Sequence, residues 1–128
     1  IPAMPSPSLL LGVAAGGALG SLLRFGIGRA LPTAAGTIPW ATLGINVLGS
    51  LALGALAGSA LAQPEASPTL RAFVGVGLLG GFTTFSAFSL ETITLAQSAS
   101  PFKAAVYVIL SVTLAVAAAA LGLSLART

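Results

Sequence analysis

Asn46, Phe85, Phe88, Tyr107 and Ser111 are the side chains of this sequence best placed to do chemistry. What they offer is hydrogen-bond donors and aromatic edges, not a nucleophile or a base. Asn46 and Ser111 carry an amide and a hydroxyl inside long apolar stretches, where a polar group needs partners and faces a bundle interior or a cavity. Tyr107 and Ser111 stand at i, i+4 and share one helix face, while Phe85 and Phe88 stand at i, i+3 on another. Read alone, such a phenylalanine pair is ordinary packing. The ring edges are electropositive, however, so edge-on contact also suits an anion that a fixed cation would bind too tightly to release. The series on the Tyr107–Ser111 face stops at Ala115, and Thr113 points roughly the opposite way. Arg24 and Glu91 are the charged side chains set furthest into apolar sequence. With no Cys and no His, thiol chemistry, disulfides and a transition-metal site are excluded. No nucleophile–base pair or metal set exists, so the sequence does not read as an enzyme.

These residues must be held by helices in a membrane. Hydrophobic residues make up 56% of the 128 positions and charged residues 5%, with a mean hydropathy of +1.06. A soluble domain would carry about a quarter charged residues. One spanning helix takes roughly 20 apolar residues. The sequence divides into four such spans, at about 8–31, 39–62, 69–97 and 101–126, which leaves a single all-α transmembrane domain and no soluble one. Pro32 closes the first span, Pro39 opens the second, a Pro64–Pro68 loop precedes the third, and Pro101 opens the fourth. No Lys or Arg precedes the first apolar run, so it reads as a span and not as a signal peptide. A net charge of +3 is too small and scattered for nucleic-acid binding. The partner implied by composition is the lipid bilayer.

Small residues recur at four-residue spacing in the first two spans, as Gly16 and Gly20, then Asn46, Ser50, Gly54 and Gly58. The glycines read as close helix packing. The third span is interrupted near its middle by Gly80-Gly81-Phe82-Thr83-Thr84, all poor helix formers. A break there frees backbone groups at membrane depth, which is tolerated only where protein or a polar cavity satisfies them, and broken helices recur at ion sites. Arg24, roughly 22 Å along its span, reads as snorkelling to the far interface or as structural. Glu91 reads as interfacial or, as an intramembrane carboxylate, functional. Arg71 and Arg127 lie on one side of the four spans, and Arg29 and Lys103 on the other. That near-equality predicts insertion in both orientations, hence an antiparallel homodimer, unless an oriented partner chain imposes order.

Three segments carry a family likeness: GGALGSLLRF at 16–25, WATLGINVLGS at 40–50, and GLLGGFTTFSAFSLE at 77–91. In order, spacing and span they resemble the Fluc/CrcB fluoride channel family over essentially the whole chain, and the third segment is long and chemically unusual. The resemblance implies a fluoride-selective, passive ion channel of the bacterial plasma membrane. It implies a dual-topology homodimer with two antiparallel pores and a structural Na⁺ at the dimer centre. The carbonyls of Gly80 and Thr83 from both subunits would hold that sodium. Phe85 and Phe88 become the phenylalanine pair shared across the dimer interface. Asn46, Tyr107 and Ser111 join them on the ion path, and Arg24 and Glu91 become structural or vestibule residues. The family commonly has a further hydroxyl where this chain has Ala115, so the polar track is shorter here.

Two other classes fit the hydropathy. A small proton-coupled exporter of the multidrug type also has four helices, but needs a titratable carboxylate deep in an aromatic pocket. Spans one and two contain no acid, and Glu91 lies towards its helix end. A non-transporting assembly subunit leaves the polar break in span three without a purpose.

Overall fold

The computed structural model describes residues 2–128, and these are helical throughout apart from short connections. Four segments are long and apolar enough to cross a membrane: Pro7–Ala30, Trp40–Gly58, Pro68–Ser98 and Pro101–Ala126. The first is α1 (Pro7–Ala30), whose start is set by Pro7 in the first turn and by Ser6, whose hydroxyl accepts the Leu9 N–H at 3.2 Å. The second is α2 (Trp40–Gly58). Pro39 precedes it, and the helix stops short of residue 62 because Ser59 turns extended. The Ser59 hydroxyl donates to Leu56 O at 2.7 Å and accepts the Leu61 N–H, which starts a separate 3₁₀ turn over Ala60–Ala62.

The third span is built in pieces. A first turn, α3 (Pro68–Ala72), is capped by Ser67 and runs into widened turns over Phe73–Leu79. Within them the Gly80 N–H reaches back to Gly75 O, five residues earlier. Such widened π turns are rare and concentrate at functional positions. After the short α4 (Gly80–Phe82), Thr83 and Thr84 are extended, with ψ of 157° and 117°. The chain then re-enters helix as α5 (Phe85–Ser98), started by Thr84 Oγ1 accepting the Ala87 N–H at 3.1 Å. Ser100 caps the last span, α6 (Pro101–Ala126), by accepting the Lys103 N–H.

The small-residue stripes set the packing. A methyl group on Gly16 would meet Phe73 O, and one on Gly20 would meet Leu78 O, so α1 lies directly against the backbone of the third span's first half. On the other side a methyl on Gly54 would meet Ala119 O, and one on Gly122 would meet Leu51 O, which presses α2 on α6 just as closely. Dispersion between backbones at this range is what holds helices together in lipid, where burial from water contributes nothing. The half-helix α5 leans on α6 through a small core of Leu43, Phe88, Leu95, Ala104 and Tyr107. Large apolar side chains such as Leu22, Phe25, Val76 and Phe85 remain exposed, as expected of a surface covered by lipid or by another membrane protein.

Candidate functional site

The break in the third span is tied down by Asn46. Its Oδ1 accepts the Thr84 N–H at 2.8 Å, and its Nδ2 donates to Thr84 O at 3.0 Å, so one carboxamide satisfies both backbone groups of a residue that has left the helix. The Nδ2 group has two N–H bonds, and this clasp uses one of them. Thr83 closes the end of the first half, with both its N–H and its hydroxyl donating to Leu79 O, at 3.1 and 3.0 Å.

The same bonds redirect amides that a continuous helix would spend on the carbonyls of Gly80 and Thr83. Gly80 O would ordinarily receive the Thr84 N–H, which goes to Asn46 instead. Thr83 O would receive the Ala87 N–H, which goes to Thr84 Oγ1. Gly81 O, between them, accepts from Arg24 Nε at 3.2 Å. Arg24 thus turns inward to the break, because Gly17, Gly20 and Gly81 bring the two backbones near enough for its guanidinium to reach. Of the two readings of Arg24, this contact fits the structural one.

Around the break lies an open cleft of about 280 Å³. Asn46, Thr83, Phe85, Phe88 and Ser111 border it together, joined by Ser50, Thr84 and the apolar Val112, Ala115 and Val116, and no charged side chain takes part in the lining. Ser111 Oγ is buried there without a hydrogen-bond partner, an uncommon state for a hydroxyl. The Phe85 and Phe88 rings lie 5.5 Å apart at 53°, tilted so that edges as well as faces are presented. Phe85 is 78% exposed and Phe88 only 8%, so the outer ring has an open side that nothing in one chain covers.

Tyr107 is not in this cleft. It is fully buried behind Phe88, ring to ring at 5.2 Å, and its hydroxyl donates to Glu91 Oε1 at 3.4 Å. Thr42 Oγ1 donates to the other carboxylate oxygen at 3.0 Å, so Glu91 links α2, α5 and α6. Glu91 itself borders a second cavity of about 360 Å³ beneath the 33–39 loop. Arg24 borders a third, with Arg29, Thr42 and Thr84. Among the described residues no cluster of three His, Cys, Asp or Glu side chains could hold a metal ion. A cation held here would take backbone oxygens.

Sequence reasoning missed three participants. Ser50 was legible as the residue one turn beyond Asn46 on the same face. Thr84 was visible only as part of the break, and its double clasp by Asn46 depends on contact between helices far apart in sequence. Thr42 had no signal, since its role exists only where Glu91 and Tyr107 meet it.

Comparison with known proteins places this arrangement. The model of the CrcB-like protein, Camphor Resistance (CrcB), family matches residues 11–123. The chain is 46% identical over 130 residues to the fluoride-specific ion channel FluC of Erythrobacter litoralis, covering 97% of this chain and 96% of that protein. It is 47% identical to the protein of the same name from Rhodospirillum centenum, over 94% and 96% of the two chains. It is 50% identical to that of Novosphingobium aromaticivorans, over 90% and 93%. A family match that takes in all four spans, with identity of this order over nearly full lengths, makes the chain a multi-pass bacterial membrane protein that belongs to the CrcB family.

Proposed function

We propose that the chain forms a fluoride-selective channel that lets fluoride leave the cell passively, and that the cleft beside the span-three break is its ion path. The observation that carries the reading is the chemistry of that cleft: spare donors and aromatic edges with no fixed charge. Fluoride is small and strongly hydrated, so a path must replace its water with donors. The second N–H of Asn46 and the hydroxyl of Ser111 are such donors, and the edges of Phe85 and Phe88 add weak positive potential. None of these would hold the ion tightly enough to stop it leaving. The relatives named as fluoride-specific channels point to the same ion.

The functional unit in this reading is an antiparallel homodimer with two paths. It is supported by the uncovered side of Phe85 and by the near-equal Lys and Arg on the two sides of the bundle. The carbonyls of Gly80 and Thr83, deprived of their helical donors, suit a hard cation, and two subunits meeting at their breaks would offer both pairs to one Na⁺. Bound there, sodium would supply a fixed positive charge between the subunits. The Asn46 clasp on Thr84 and the Arg24 contact with Gly81 O, on residues adjoining Thr83 and Gly80, would steady those carbonyls.

The competing reading, a proton-coupled exporter, needs a carboxylate in the path. Glu91 is instead bonded by Thr42 and Tyr107 outside the cleft. The two readings separate in proteoliposomes with fluoride at equal concentration on both sides. Imposing a proton or a sodium gradient at zero membrane potential should drive no net fluoride movement, since a channel responds only to the ion's own gradient. Fluoride accumulation in step with either gradient would replace the channel by a coupled transporter.

A further inference from the structure

The helices α2 and α6 run parallel in a fixed register. Gly54 abuts the backbone of Ala119, and Gly58 abuts that of Leu123, four residues further along each helix. From the other side Gly122 abuts Leu51 O and Ala55 N, so the two helices interlock along this stretch. That close contact brings Asn46 and Ser50 of α2 and Ser111 and Ala115 of α6 to the wall of one cleft. One end of this contact is marked by Thr42 and Tyr107, which bond the two oxygens of one carboxylate. On α6 the hydroxyl-bearing row of Tyr107 and Ser111 stops at Ala115, whereas on α2 the polar row continues from Asn46 to Ser50.

We propose that Ser50 is the donor that serves the ion path beside Ala115, so that the line of polar contacts crosses from α6 to α2 beyond Ser111. The proposal rests on the conduction reading and adds a specific residue to it. Ser50 is half-buried on the cleft wall. In α5, Ser89 and Thr92 turn their hydroxyls back onto the carbonyls of Phe85 and Phe88, at 2.9 and 2.8 Å. Ser50 makes no such bond among the described residues, which leaves its proton for an occupant of the cleft. Thr113, the nearest hydroxyl further along α6, is exposed and outside the cleft lining. A stretch lined only by Ala115, Val112 and Val116 would ask a strongly hydrated anion to shed water against hydrocarbon, a heavy desolvation cost that one well-placed hydroxyl reduces.

The test is an exchange of the hydroxyl between the two helices. Fluoride efflux from liposomes is measured at matched protein density, with the dimer peak in detergent as the control for folding. Ser50→Ala should lower flux roughly tenfold, about what one donor to an ion is worth. Ser50→Thr should retain most of it. Adding Ala115→Ser to Ser50→Ala should return most of the lost flux, because the hydroxyl reappears in the same cleft from the neighbouring helix. Unchanged flux in Ser50→Ala, or a loss that Ala115→Ser leaves unrepaired, would overturn the assignment. Absence of fluoride flux in the unaltered protein would instead overturn the conduction reading itself, and is measured first.

Discussion

Asn46 has a structural task in the bundle and, in the proposed reading, a second one on the ion path. Its clasp on Thr84 satisfies backbone groups at membrane depth, and leaving a buried polar group unpaired costs about 1–3 kcal/mol. Its second N–H is not used in that clasp, and the residue borders the cleft. Asn46→Leu should therefore lose both flux and thermal stability. Phe85→Ile and Phe88→Ile keep most of the apolar bulk, and such swaps usually cost less than about 1.5 kcal/mol. If ring edges help the ion, these two variants should lower fluoride efflux at least roughly tenfold, a change of about 1.4 kcal/mol, while remaining folded dimers by size-exclusion chromatography. Near-normal flux in both would return the rings to packing. The sequence made the polar groups of the cleft, Asn46 and Ser111, legible because amide and hydroxyl groups stand out in hydrocarbon. It left the contacts of Arg24 with Gly81 and of Glu91 with Thr42 illegible, since each joins helices distant in sequence and depends on how closely they approach.

At the scale of elements, the spans and the interruption of the third follow from hydropathy and from poor helix formers in one place. The widened turns over Phe73–Leu79 do not. They are a response to packing, with Gly77 pressed on Val13 O and the Gly16 Cα of α1 at 2.8 and 3.0 Å from where its side chain would begin. The second span also ends earlier than its apolar run, because the Ser59 hydroxyl turns back on Leu56 O and redirects the chain. The close crossing of α2 and α6 makes a sharp prediction. Gly54→Ala would drive a methyl into Ala119 O, and overpacking of this kind costs about 1–3 kcal/mol. It should lower the thermal midpoint of the purified protein by several degrees. Gly44→Ala in the same helix, where a methyl meets nothing within 4 Å, should leave the midpoint unchanged. Equal midpoints for both would show that the crossing is looser than described.

At the scale of the whole molecule, one of the two basic side chains at each end of the bundle is bonded to a connecting segment. Arg71 donates to the carbonyls of Ala62 and Gln63 on one side, and Lys103 donates to Gly36 O on the other. Neither end holds the excess of cations that fixes orientation in a cell membrane. Accessibility of a C-terminal tag from the two sides should accordingly reveal comparable populations, and a single orientation in more than about nine in ten chains would contradict a dual-topology dimer. That dimer and its two paths matter only if the cleft conducts one anion and refuses a larger one. The most direct measurement is passive efflux from proteoliposomes loaded with fluoride or with chloride and diluted into medium lacking that ion, with valinomycin and potassium to clear the membrane potential. Rapid loss of fluoride with chloride retained at the level of protein-free liposomes is the predicted result. Comparable efflux of both anions, or retention of both, would contradict it.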